Sequence, residues 1–240
     1  MKIVGKTDKG FKRSDNQDRY VAGTLENGIS FGFVCDGMGG ANGGSVASGM
    51  LCKTLEEMLF LQGENSAMDA EETVLDAVSV ACAQIYTKAE NDASLSGMGT
   101  TLSGVSVSDD VCNVYNVGDS RVYILREGVL TQITEDHSVV RQLYRQGAIS
   151  EEEMASHPQK NLITRAVGVR KEVEVDVSEI RLKKGDRLLC ASDGLTNFVP
   201  KQEIESMMKY QDLYTIPDML IKSALENDAS DNITALVLEY

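Results

Sequence analysis

Ile29-Ser30-Phe31-Gly32-Phe33-Val34-Cys35-Asp36-Gly37-Met38-Gly39-Gly40 passes from a β-rich run to a carboxylate and then to a glycine-rich stretch. The run has strand length and is rich in aromatic and β-branched residues, so it reads as a strand that leaves Asp36 at a turn. Directly downstream, Val46, Met50, Leu51, Leu55, Met58 and Leu59 recur at helical spacing over 45–61. A strand feeding an amphipathic helix in this way lays the helix on a sheet face and leaves the aspartate at the sheet edge. The glycines between Gly37 and Gly44 are bracketed too tightly to form a linker.

Working outward, Val74, Val78, Ala81 and Ile85 mark a second amphipathic helix. Strand signals follow at 100–107, 111–117 and 121–126, with Asp109-Asp110 and Gly118-Asp119 as turns, and read as an antiparallel meander. Later strands are expected at 173–180, 187–191 and 233–238, and helices at 201–208 and 217–225. Strands and helices come in blocks rather than in alternation. That favours an α+β layered sandwich over a parallel sheet. The segment 135–160 is polar, carries Glu151-Glu152-Glu153 and Pro158, and reads as a partly helical, mobile flap. With no repeat, low-complexity tract or linker, residues 1–240 are expected to form one domain.

The 240 residues include 23 Lys+Arg and 37 Asp+Glu, a formal charge of −14. Such a balance opposes binding to nucleic acid or to an anionic membrane. Partners are therefore expected to be proteins or small molecules. No apolar stretch approaches the ~18 residues of a membrane span, and the start is too soon polar for a secretory signal. Cys35, Cys52, Cys82, Cys112 and Cys190 are odd in number and mostly lie in apolar runs, as reduced core thiols do, which points to the cytosol.

Asp36, Asp119, Asp193 and Asp231 each stand at a turn beside a hydrophobic strand, and no nucleophilic His or Cys motif accompanies them. One Asp-Gly pair alone would be read as an ordinary turn. Asp36 and Asp193 differ because each follows a strand, and strand ends are rigid platforms for ligands. Asp231 precedes the strand 233–238, so in an antiparallel neighbour it would reach the same edge as Asp193. Oxygen ligands suit Mg²⁺ or Mn²⁺, and such ions lower the pKa of bound water towards neutrality. A two-ion site needs a bridging carboxylate, for which Asp36 is the candidate; the Gly37 carbonyl is a further candidate ligand, beside the plainer reading of these glycines as a tight turn into a helix.

Arg13 can grip a phosphate bidentately and Asp18 can orient a metal-bound water, although the hexapeptide 13–18 alone would more simply be a solvated charged loop. Asp119-Ser120-Arg121 has an equally plain reading as a turn with a surface ion pair. His137 and His157 lie in the flap and are expected to be structural or surface residues rather than general acids. No cysteine is followed six residues later by Arg, and neither an Asp-x-Asp pair nor a Gly-x-x-x-x-Gly-Lys-Ser/Thr cradle occurs. Among phosphate chemistries this leaves attack by metal-activated water.

In order along the chain, Arg13 with Asn16-Gln17-Asp18, Asp36-Gly37-Met38-Gly39-Gly40, Gly99-Thr100-Thr101, Gly118-Asp119-Ser120-Arg121, Asp136-His137, Ile163-Thr164-Arg165-Ala166-Val167-Gly168, Ser192-Asp193-Gly194 and Asp231-Asn232 closely resemble the metal-dependent protein phosphatase 2C (PPM) family, bacterial type. The resemblance implies two antiparallel β-sheets in a central sandwich flanked by helix pairs, with a binuclear Mn²⁺ or Mg²⁺ centre at one end. It implies that Asp36 bridges both ions, that the Gly37 carbonyl binds the first, and that Asp193 and Asp231 bind the second. Asp119 with Asp193 matches the ligands of a third, weaker ion. Arg13 matches the phosphate-binding arginine, and Asp18 the carboxylate that hydrogen-bonds metal-bound water. Many animal members carry a proton-donating His where this chain has Met38. Met38 cannot donate a proton, so the leaving alkoxide would take one from water.

The activity so implied is single-step hydrolysis of phosphoserine and phosphothreonine in proteins, with no phosphoenzyme. A Ser/Thr kinase and its substrates are the partners the resemblance suggests, and a monomer is expected. Two other readings stay open at this level: a phosphatase dedicated to one regulatory phosphoprotein, and a catalytically silent binding module. The complete acidic set weighs against the silent module.

Overall fold

The computed structural model describes residues 1–63 and 69–240. Two antiparallel sheets pack face to face. The first contains β1 (Lys2–Asp8), β11 (Ile233–Glu239), β10 (Arg187–Ala191), β7 (Arg121–Arg126) and β8 (Val129–Gln132), in that order. The second runs β2 (Asp18–Thr24), β3 (Ser30–Met38), β5 (Leu102–Ser108), β6 (Val111–Val117) and β9 (Asp176–Arg181), with the short β4 (Gly99–Thr100) beside the end of β3. The long helices α1 (Gly40–Gly63) and α2 (Ala70–Asn91) cover the outer face of the second sheet. The short α5 (Asp193–Thr196), α6 (Lys201–Met208) and α7 (Ile216–Glu226) cover the outer face of the first. The expected α+β sandwich is therefore the observed one.

Strand alternation explains the layering. On β3, Phe31, Phe33 and Cys35 face the α1–α2 core, while Val34 faces the core between the sheets. On β11, Ile233, Ala235 and Val237 face α7, whereas Leu236 and Leu238 meet the opposite sheet. Both strands are buried on both faces, and they read as continuous apolar runs for that reason. On α1, Leu51, Leu55 and Leu59 are fully buried against β3 and α2. Each such side chain contributes roughly 1.5–3 kcal/mol by leaving water.

The structure corrects the expectations in several places. Strands β5 and β6 pair, but β7 does not continue a meander: the chain crosses at Gly118-Asp119-Ser120 into the other sheet, where β7 pairs with β8 and β10. Helix α1 begins at Gly40, five residues before the expected start, because glycines carry no apolar signal. Strand β9 begins at Asp176 rather than at residue 173. The edge strands β1 and β2 were not foreseen.

The segment 135–160 is partly helical as expected, with α3 (Val139–Arg145) and α4 (Glu151–Ser156). It is tied down at its root by Arg121, whose guanidinium forms a fork on Asp136 with contacts of 2.6–3.0 Å. This Arg121–Asp136 pair is largely buried, not the surface pair that the local motif suggests. All five cysteines are buried and free, as expected of core thiols. Among the described residues no helix is long and apolar enough to cross a membrane.

Candidate active site

Strand register gathers the charged turns at one end of the sandwich. Strands β2 and β3 are antiparallel with Asp18 opposite Asp36, so the first residue of one lies beside the exit of the other. Strands β10 and β11 are antiparallel with Ala191 opposite Ala235, which brings Asp193, just after β10, to the same edge as Asp231, just before β11. Ala191 is also opposite Arg121, so the crossover carrying Asp119 joins them. Strand β1 ends where β11 begins, and the loop that follows it brings Arg13 to the same end. Arg13, Asp36, Gly37, Asp119, Asp193 and Asp231 all line one cavity of about 500 Å³.

Asp36 is fixed through its backbone. Its N–H donates to Thr101 Oγ1 (3.0 Å), and its carbonyl accepts from the Thr101 N–H (2.8 Å) and from Thr100 Oγ1 (3.0 Å). Gly37 follows at a point where only glycine fits, because a Cβ would strike the carbonyls of Gly44 and Gln17. Its N–H donates to the Gln17 carbonyl (3.2 Å). The glycine-rich stretch thus serves both as a tight turn into α1 and as a cavity wall.

Asp18 does not line the cavity. It is fully buried beneath it, and its Oδ2 accepts from Thr234 Oγ1 (2.6 Å) and Ser192 Oγ (2.7 Å). Asn232 pins the loop that carries Arg13: its Oδ1 accepts from the Gln17 N–H (2.9 Å), and its Nδ2 donates to the carbonyls of Lys9 (2.8 Å) and Asp15 (2.9 Å). Thr101 Oγ1 lies 2.7 Å from Ser120 Oγ, which joins Asp36, still within β3 rather than at the turn expected from sequence, to the Asp119 crossover. Ser192, Thr234, Asn232, Thr101 and Ser120 were given no role from sequence. All but Thr234 lie within the quoted motifs, but nothing in those motifs says which side chain they hold.

The electrostatics explain what this cluster needs. Burial pushes the Asp36 carboxyl well above the usual carboxylate range, and the charges of Asp18, Asp193, Asp119 and Asp231 add to the shift. Burial, then Asp193 and Asp136, raise Asp119 to about 8. Asp18 is pushed to about 6 by burial, against the opposing hydrogen bonds from Thr234 and Ser192. Asp193 is raised by burial and then by Asp231. Carboxylates crowded in this way cannot all ionise near neutral pH without cationic compensation.

Protein groups supply part of that compensation. Arg13 Nη2 donates to Asp231 Oδ2 (2.7 Å), and Asn197 Nδ2 donates to Asp193 Oδ2 (3.0 Å). Among the described residues no three His, Cys, Asp or Glu side chains are arranged to hold an ion as they stand. The donor chemistry nevertheless fits hard divalent cations: Asp18 Oδ1 and Asp193 Oδ1 are buried without a hydrogen-bond partner, and the acidic donors are all oxygen.

Neither histidine lines the cavity. His137 Nδ1 accepts the Gly118 N–H (3.1 Å) and its Nε2 lies 3.1 Å from Asp176 Oδ2, a structural clamp on the crossover. The region after the flap contributes Asn161 and Ile163 to the cavity, just beyond the expected boundary at 160.

A two-sheet sandwich flanked by helices thus carries at one end a cleft whose acidic donors are all oxygen, the donor type that hard divalent cations prefer. Residues 12–227 match the family model described as protein phosphatase 2C. The chain is 39% identical over 242 residues to the serine/threonine phosphatase stp of Listeria monocytogenes, covering 98% of this chain and 94% of that protein. Its fold is similar to that of the Mycobacterium tuberculosis serine/threonine phosphatase PstP/Ppp, with a TM-score of 0.91, 34% identity, and coverage of 100% of this chain and 99% of the other. It is also similar to the catalytic domain of PstP in complex with two manganese ions, with a TM-score of 0.88, 31% identity, and coverage of 99% and 97%. The chain belongs to the protein phosphatase 2C family, whose phosphatases use metal ions.

Proposed function

We infer that the chain is a metal-dependent protein serine/threonine phosphatase and that its reaction centre is the acidic cavity. The observation that carries this reading is the meeting of Asp36, Asp119, Asp193 and Asp231 with Arg13 around one cavity, above two buried and unpartnered carboxylate oxygens. Asp36, the Gly37 carbonyl, Asp193 and Asp231 would hold two Mn²⁺ or Mg²⁺ ions, and Asp119 with Asp193 a third, weaker one. Bound there, the cations would acidify a coordinated water and neutralise phosphoryl charge.

The remaining roles belong to the protein. Arg13, half-exposed and held to Asp231, would transfer its guanidinium to the phosphoryl oxygens when the substrate docks. Asp18 is held by Ser192 and Thr234 through Oδ2, which leaves Oδ1, buried beneath the cavity, as an acceptor that would orient a water reaching the cavity floor. Thr101 and Asn232 keep Asp36 and the Arg13 loop in register. Met38, on the cavity wall, has no proton to give, so the departing serine or threonine oxygen takes its proton from solvent within the cleft.

In the cell the substrates would be phosphorylated proteins, among them a Ser/Thr kinase and that kinase's targets. Residues 1–240 would act as a single catalytic unit, monomeric and cytosolic. The test is hydrolysis of phosphoserine, phosphothreonine and phosphotyrosine peptides with Mn²⁺ and with chelator. Turnover of the first two, dependent on Mn²⁺, is expected; turnover in chelator or of phosphotyrosine alone would overturn the reading.

A further inference from the structure

Beside the acidic cavity, and sharing Met38 and Ile163 with it, lies a second cavity of about 310 Å³. Ala166, Val169 and Val173 give it apolar walls in addition to Met38 and Ile163. Its far wall is built rather than loosely draped. Val167 exchanges both backbone hydrogen bonds with Thr100 (3.0 and 2.9 Å), the Gly168 N–H donates to Cys82 Sγ (3.3 Å), and the Cys82 thiol donates to the Arg170 carbonyl (3.2 Å). Gly168 has φ +89°, and a Cβ there would strike Ile85 on α2, so this turn is seated on the helix and requires glycine. At Gly99 a Cβ would meet Val169 Cγ2 at 2.6 Å and Met38 Cε at 3.1 Å, so both side chains lie close over this glycine. Val169 is nevertheless 45% exposed, an apolar group held open to the cleft.

The charges around this cavity cancel. Two cationic and two anionic side chains, Arg165, Arg170, Glu172 and Glu174, line it, and Arg165 is committed to Glu174 (3.4 Å) and Asp176. The site therefore lacks the excess cation that a second phosphate or an acidic side chain would require. The two cavities share Met38 and Ile163, and an extended substrate advances only about 3.3–3.6 Å per residue, so a side chain entering the second would come from close to the phosphorylated residue.

On the phosphatase reading above, we propose that this second cavity takes an aliphatic side chain of the substrate protein, one or two residues from the phosphorylated one. Val169, with Met38 and Ile163, thereby sets sequence preference. The experiment uses phosphothreonine peptides that differ only in carrying Leu, Ala or Glu at each of the two positions on either side, with p-nitrophenyl phosphate as a substrate too small to reach the cavity. With Mn²⁺ present, Leu is expected to exceed Ala by about tenfold in kcat/KM at one of these positions, the scale of discrimination by an apolar pocket. In Val169→Glu the preference should fall to within about twofold while p-nitrophenyl phosphate hydrolysis is unchanged. Equal rates on all peptides, or full preference retained by Val169→Glu, would overturn the pocket while normal p-nitrophenyl phosphate hydrolysis upheld the phosphatase. Failure to hydrolyse any of these substrates would overturn both.

Discussion

Arg13 donates from Nη2 to Asp231 Oδ2 at 2.7 Å, so a guanidinium covers a carboxylate proposed to bind a cation. On the proposed roles, a cation and a phosphate would act on the same contact, one taking Asp231 and the other the freed Arg13. Replacement of Arg13 by Ala should raise KM for a phosphothreonine peptide by about tenfold or more, as loss of a hydrogen bond to a charged group implies, with a smaller change in kcat. The same substitution removes a competitor for Asp231. Mn²⁺ titration by calorimetry should accordingly show affinity equal to or above that of the unaltered protein. A weaker Mn²⁺ affinity would show that Arg13 supports the cation site instead.

The raised carboxyl pKa values make the metal-free protein sensitive to alkali. A carboxyl whose folded pKa lies above its unfolded value near 4 stabilises the fold at low pH, and that contribution is lost as pH rises through the folded pKa. For Asp18 and Asp119 the folded values are about 6 and about 8. In EDTA, Tm should therefore fall from pH 5 to pH 8. Mn²⁺ should flatten the decline, and Asp119→Asn should reduce it in EDTA. A metal-free Tm that climbed over this range would contradict the crowding of these carboxyls.

Asn232 ties together Gln17, Lys9 and Asp15, so its removal should loosen the Arg13 loop more than the sandwich. Asn232→Ala would leave one N–H and two carbonyls without their partner. A loss of about 2 kcal/mol in urea unfolding is expected, since each stranded buried group costs ~1–3 kcal/mol and water re-solvates some of them. KM should rise alongside. Unchanged stability with unchanged KM would mean that the loop holds its place without Asn232.

The sequence made some parts of this site legible and hid others for physical reasons. Strand β3 and helix α1 were readable because burial on one or two faces writes apolar residues at period 2 or 3.6, and Asp36 stood out where that pattern stopped. Strands β1 and β2 were not readable: both are edge strands, half-exposed and interrupted by Gly5 and Gly23, held mainly by backbone pairing with β11 and β3. The passage from β6 to β7 looks locally like a hairpin, because periodicity does not say to which sheet a strand belongs. Only the fold reveals that the turn at Asp119 is a crossover. Asp18 could be placed near the site by its motif, but the hydroxyls of Ser192 and Thr234 that hold it lie 174 and 216 residues away.

The most direct test is steady-state hydrolysis of a phosphothreonine peptide by chelator-treated protein titrated with MnCl₂, run in parallel on Asp36→Asn. Turnover should be absent before Mn²⁺ is added and saturate with it. Asp36→Asn should remain folded by circular dichroism and stay at least about a thousandfold slower, an effect of about 4 kcal/mol on the barrier. Full turnover in chelator, or normal Mn²⁺-dependent turnover by Asp36→Asn, would contradict a reaction centre built on these carboxylates.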